Sequence, residues 1–210
     1  MPVPPALAAS PGRVPDRADA GFSLVEMVIV LALIGLGSAM ALPYMGNFLS
    51  SAKIAADARS LSNSTAMTKM RAAARFGQAR LRVDLAARTF RAEIWRKTGT
   101  PGWEAEGPTV NLSNTVNFGF GTAATPPPNT QTTIGQAAAC RDDAGVDIAG
   151  TACVVFNSRG LPVDSTGGPT GAGAFYVRDT SGVFGITVSA TGMVRMWRTP
   201  PGATPNWALQ

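Results

Sequence analysis

The chain has 210 residues and no histidine, which removes the commonest metal ligand and the usual general base at neutral pH. Its two cysteines, Cys140 and Cys153, are too few for a zinc site and leave either a disulfide or a pair of buried thiols. A net charge of +5 is compatible with a nucleic-acid or acidic-surface partner but selects none, and a solvated basic face is the better account of it.

Residues 1–20 are rich in Pro and Ala, and Arg13 and Arg17 there are balanced by Asp16 and Asp19. The apolar run GFSLVEMVIVLALIGLGSAMALP follows, from Gly21 to Pro43, interrupted by Glu26 alone among charged residues. As a helix, Phe22–Leu42 spans about 31 Å, close to the hydrocarbon thickness of a bilayer. Arg13 and Arg17 favour a cytoplasmic N-terminus, while Lys53 and Arg59 beyond the run weaken that bias. Three readings fit the run: a secretory signal cleaved near Ala39-Met40-Ala41, a plain membrane anchor with Glu26 near the interface, or a segment in which Glu26 has a use of its own.

Gly21-Phe22, with Glu26 four residues after the Phe and an unbroken apolar helix behind it, resembles the N-terminus of type IV prepilins and type II secretion pseudopilins. The resemblance implies cleavage between Gly21 and Phe22 by a prepilin peptidase, then N-methylation of Phe22. It also implies that Glu26 meets the amino group of Phe22 on a neighbouring subunit. Two groups costly to bury in lipid become tolerable when they meet. Gly35 and Pro43 also fall where that family has a glycine and a helix-bending proline, so the resemblance places a kink at Pro43.

Beyond Pro43, helical spacing continues through Tyr44, Phe48, Ala52, Ala55, Ala58, Leu61, Thr65 and Met67, predicting one helix over 22–76 that ends near Gly77. Met67 and Met70 are expected to fill the core. The period then changes to two. ARLRVDL and TFRAEIW, joined by Ala86-Ala87-Arg88, predict a β-hairpin with Leu81, Val83, Leu85, Phe90, Ala92 and Ile94 inward and its arginines on the solvent face. Residues 98–139 read as a loop-rich insertion with one strand near Thr115–Phe120. If Cys140 and Cys153 are bonded, the closed loop contributes on the order of 3 kcal/mol and indicates an oxidising compartment.

The last third reads as strands at CVVF, AFYVRD, GVFGITV and the segment ending MVRMW. Phe156-Asn157-Ser158-Arg159-Gly160, and Ile186-Thr187-Val188-Ser189 followed by Thr191-Gly192, resemble the C-terminal elements of the GspH/FimT pseudopilin domain. Some FimT-like proteins bind DNA through a Gly-Arg-x-Arg element in this hairpin. Here the element reads Gly192-Met193-Val194-Arg195, without the first arginine, so Arg195, Trp197 and Arg198 form a basic–aromatic candidate for DNA or partner contact. A charged edge strand that blocks aggregation is the competing reading.

Neither remaining motif carries other chemistry. Gly168–Gly173 lacks phosphate-loop spacing, and Asp142, Asp143 and Asp147 lack the closing glutamate of a calcium loop. The expectation is an α+β protein: a leader at 1–21, a long helix at 22–76 that spans the membrane over about 22–42, and a β-rich domain at 77–210. It has no catalytic site, cofactor, metal or small-molecule substrate. By resemblance it is a type II secretion minor pseudopilin, or alternatively a FimT-like minor pilin acting in pilus assembly or DNA uptake. Its expected partners are other pilins, the prepilin peptidase and the inner membrane, with the C-terminal domain in the periplasm.

Overall fold

The computed structural model describes residues 22–210, with the side chains of residues 40–47 left aside. The leader and Gly21 therefore lie outside the described residues. One α-helix, α1, runs from Leu24 to Ala74, and the chain divides into two units at Leu42/Pro43.

Among the described residues of the first unit, the apolar side chains are exposed. Leu24 is 79% exposed, and even Val30, the least exposed large one, is at 43%. Among the described residues no helix is long and apolar enough to cross a membrane. The apolar stretch with described side chains ends at Ala39, short of the roughly 20 residues a bilayer requires. The helical backbone continues through Pro43, whose ring and any kink it causes fall outside the described side chains.

In the second unit α1 buries Ile54, Ala58, Leu61, Thr65, Thr68 and Ala72, alternating steps of four and three that keep one stripe inward. The two threonine hydroxyls on this stripe donate to Leu61 O and Ser64 O one turn back, so burying them strands no polar group. The stripe differs from the one expected at its edges. Phe48, Ala52, Met67 and Met70 are exposed, so the methionines are not core filler. The helix ends through bonds from Phe76 N to Ala73 O and from Gly77 N to Ala72 O. That places Phe76, at φ 48°, in the left-handed position usually held by glycine, with Gly77 one residue later.

Two antiparallel sheets cover the stripe. The strands in chain order are β1 (Ala79–Asp84), β2 (Thr89–Arg96), β3 (Gly102–Ala105), β4 (Val110–Asn111), β5 (Asn117–Phe118), β6 (Cys140–Arg141), β7 (Asp147–Ile148), β8 (Thr151–Phe156), β9 (Pro162–Val163), β10 (Gly173–Arg178), β11 (Val183–Val188), β12 (Val194–Thr199) and β13 (Ala208–Leu209). The first sheet is ordered β3-β2-β1-β8-β9, with β4 also on β2. The second is ordered β13-β12-β11-β10-β5, and β6 and β7 form a separate hairpin. Leu81, Val83, Phe90, Val154 and Phe156 of the first sheet join Phe175, Val177, Phe184, Ile186 and Val188 of the second in one core with the helix stripe. The α+β architecture expected from the sequence is the one found.

Residues 98–139 are more ordered than a plain insertion. They contain β3, β4 and β5, and their last residues stitch the sheets together: Ala137 N donates to Ala174 O of β10, and Ala138 O accepts from Cys153 N of β8. The Gln136 amide brackets Tyr176, accepting from its N–H and donating to its carbonyl at 2.9 Å each, as a strand neighbour would. Phe120, Ile134 and Trp207 pack with Tyr176, Ala174 and Val183 into a second small core on the far face of the second sheet. Gly185 has no room for a side chain there, since an added Cβ would lie 2.8 Å from the Tyr176 ring.

The revised stripe generates a contrast. Leu61→Ala is expected to cost about 2–5 kcal/mol through lost burial and cavity, and Met67→Ala at most about 0.5 kcal/mol. Urea unfolding of the full chain in mild detergent, followed by circular dichroism, compares them; equal losses would contradict the observed facing of the helix.

Candidate functional site

The N-terminal segment is built around Ser23. Its carbonyl accepts the first helical bond, from Met27 N at 3.1 Å, so Ser23 caps the helix and Phe22 stands just outside it. Glu26 falls in the first turn, three residues after the cap. That is the spacing of a capping box, and a carboxylate there also suits the positive end of the helix dipole. Among the described residues, however, the Glu26 carboxylate makes no hydrogen bond and no ion pair. Phe22 itself is 77% exposed. The first turn thus offers an acid and an N-terminal aromatic with no partner inside the described chain.

At the other end of the chain, the pleat of β12 separates the three residues read as one cluster. Trp197 faces outward in the sense of the sheet yet is 7% exposed, because it packs across from Gly185 and its Nε1 donates to Thr187 Oγ1 at 3.0 Å. It is not free to stack on a base. Arg195 lies on the same face two residues earlier, paired with Thr187, and is exposed. Arg198 points to the opposite face, 5.7 Å from the Phe184 ring. The basic–aromatic cluster therefore does not exist as one surface.

The two segments singled out as family-like meet at Lys69. Asn157–Gly160 and Ser189–Gly192 are tight turns of the same build, each closed by the glycine N–H donating to the first residue's carbonyl at 2.8 Å. Gly160 and Gly192 take φ of 72° and 76°, and Gly192 has no space for a Cβ, which would sit 2.4 Å from Gly160 O. The Lys69 stem lies against both glycines, and its ammonium donates to Gly192 O at 2.9 Å. These residues hold the top of the helix to one turn from each sheet.

Cys140 and Cys153 are bonded, with Cα atoms 4.9 Å apart, tying the β6–β7 hairpin to β8. This hairpin lies over a cluster that the alternation missed. Arg80 does point away from the core, but it is buried, as is Glu93 opposite it. The Glu93 carboxylate receives Arg80 Nε and Nη2 at 2.6 Å on one oxygen and Arg91 at 2.7 Å on the other, with Arg82 at 3.7 Å. The Arg80 guanidinium also stacks 4.0 Å from the Trp103 ring and donates to Arg141 O in the hairpin. Burial pushes its pKa down and Glu93 pulls it back. The pairing register held the clue: with the turn at 86–88, Arg82 falls opposite Arg91, and only Glu93 can relieve that repulsion.

The acidic loop is structurally committed. Asp142 accepts from Ala144 N and Val146 N, Asp143 from Trp103 N, and Asp147 pairs with Arg141. A groove of about 360 Å³ beside this hairpin is lined by Trp103, Arg141, Cys153 and Asp164; of the residues nominated from the sequence, only Cys153 reaches it. Glu93→Ala would leave Arg80 buried without its counter-charge and is expected to cost about 3–5 kcal/mol. Arg82→Ala, a longer and partly exposed contact, should cost at most about 1 kcal/mol. Denaturant unfolding under oxidising conditions measures both, and similar losses would deny Arg80–Glu93 its special place.

Comparison with known proteins finds a family match at the N-terminal segment. Residues 16–42 match the family model of the prokaryotic N-terminal methylation motif. No curated protein matches the whole sequence significantly. Among solved structures, the chain is similar to the minor pseudopilin EpsH from the Type 2 Secretion System of Vibrio cholerae, at 12% identity and a TM-score of 0.43, over 69% of this chain and 95% of that one. The N-terminal segment thus carries a prokaryotic N-terminal methylation motif.

Proposed function

We propose that this chain is a minor pseudopilin: a subunit that is cut after Gly21, methylated at Phe22, held in the inner membrane by Phe22–Leu42, and built into a type II secretion pseudopilus or a related pilus. The observation that carries this reading is a Glu26 with no partner among the described residues, in the first turn of a helix whose apolar side chains are exposed all round over residues 22–39. A monomer in water gains nothing from such a surface. In a filament, apolar flanks of neighbouring helices cover one another, and a new amino terminus at Phe22 supplies the charge that Glu26 lacks. Pairing then fixes the register between subunits. The anchor reading rests on the sequence as far as Leu42, and the Cys140–Cys153 bond suits a periplasmic domain.

A role in assembly also fits a domain in which the Arg80–Glu93 and Lys69 clusters are spent on holding its own elements. The DNA-uptake alternative finds less support, since Trp197 is buried and Arg195 and Arg198 face opposite ways.

Mass spectrometry of the protein isolated from membranes should find a methylated Phe22 as its first residue. A start at Met1 or Leu42 would overturn the proposal. Glu26→Ala should leave the processed protein in the membrane but abolish its cross-linking into filaments; normal incorporation would show that the carboxylate is dispensable.

A further inference from the structure

The end of the domain near residues 48–53 of α1 carries exposed apolar and basic side chains. Ser50 Oγ donates to Asp179 Oδ2 at 2.9 Å, which ties that part of α1 to the β10–β11 turn. Strand register brings Arg178, Val183 and Thr199 side by side at the same end, and Arg198, one residue before Thr199, lies at that end on the other face of the sheet. Phe48 and Leu49 are 70% and 51% exposed, although they immediately precede this tie. Lys53, Arg178 and Arg198 are all exposed, and among the described residues none has an ion-pair partner. The nearby Asp179 carboxylate is instead engaged by Ser50, Ser181 and Gly182. The Arg178 stem is laid across Gly119 and Gly121, where an added Cβ would stand 3.3 Å and 3.4 Å from it, so its position is set by packing.

Exposed apolar side chains with basic residues around them are what a peripheral protein presents to an anionic lipid surface: the apolar groups enter the headgroup layer, and the cations meet phosphate. We propose that Phe48, Leu49, Lys53, Arg178 and Arg198 form a lipid-facing surface, by which the domain rests on anionic phospholipid headgroups before the subunit joins a filament. The occupant follows from continuity along the chain, since Phe48 comes soon after the apolar run, and from charge complementarity. The inference rests on the anchor reading above.

The chain supplies its own control, because its lysines are Lys53, Lys69 and Lys97. Lys69 is held in the glycine clasp, whereas Lys97 is exposed beside the far end of the helix, donating to Phe76 O. Full-length protein is placed in nanodiscs of phosphatidylcholine alone, or of phosphatidylcholine with phosphatidylglycerol, and acetylated with a water-soluble ester. Site-resolved mass spectrometry then follows the modification. With phosphatidylglycerol, Lys53 should react about fivefold more slowly while Lys97 is unchanged. Arg178→Gln with Arg198→Gln, or high salt, should restore the faster rate. An unchanged Lys53 rate, or equal slowing at Lys97, overturns the proposed surface and leaves the anchor reading intact. Failure of the chain to stay with the discs overturns both.

Discussion

The helix stripe from Ile54 to Ala72 has to be covered by two sheets at once, because its inward side chains reach strands of both. Neither sheet alone provides that cover. The sheets therefore need a fixed mutual position, and the structure supplies it at two places: residues 136–138 bond to β8 and β10 together, and Lys69 holds a turn from each sheet. Ser50 ties the opposite end of the stripe to the β10–β11 turn of the second sheet. Short side chains at Ala58, Thr65, Thr68 and Ala72 leave room for the strands to approach. Threonine is tolerated because its hydroxyl bonds back to the helix.

The outer faces of the sheets follow a different rule. On the first sheet, Arg80 and Glu93 are closed over by a disulfide-tied hairpin and Trp103. On the second, Tyr176 is closed over by Phe120, Ile134 and Trp207, and burial drives its phenol pKa upward. Both coverings come from segments with little regular structure. Hydrogen bonds from glutamine and aspartate side chains replace those of a ladder, as at Gln136 and Asp143. The domain is thereby thickened into layers without a second long helix.

What could be read beforehand divides along physical lines. The period-two alternation of ARLRVDL and TFRAEIW is a local signal, and the hairpin stands where that signal puts it. The first-turn carboxylate was legible because a charge inside an apolar run has few explanations. Facing was less legible. Met67 looked inward by spacing but lies at the margin of the stripe, and Arg80 looked solvated because alternation cannot reveal that a hairpin from residue 140 onward will cover it. Trp197 failed for the same reason: its cover is formed across the sheet, at Gly185 and Thr187. The seam at 136–138 has no periodic signature at all, since its partners are some fifteen to forty residues further along the chain.

The pairing of β13 makes the outer cover of the second sheet depend on segments distant in sequence. β13 pairs with β12, and Trp207 reaches back to Thr125 O. The packing over Tyr176 is thus drawn from Phe120 and Ile134 on one side and from Trp207, far along the chain, on the other. Contacts so widely separated carry a loop-closure cost and form slowly; without Trp207 the Tyr176 ring would lose an aromatic neighbour and stand partly bare.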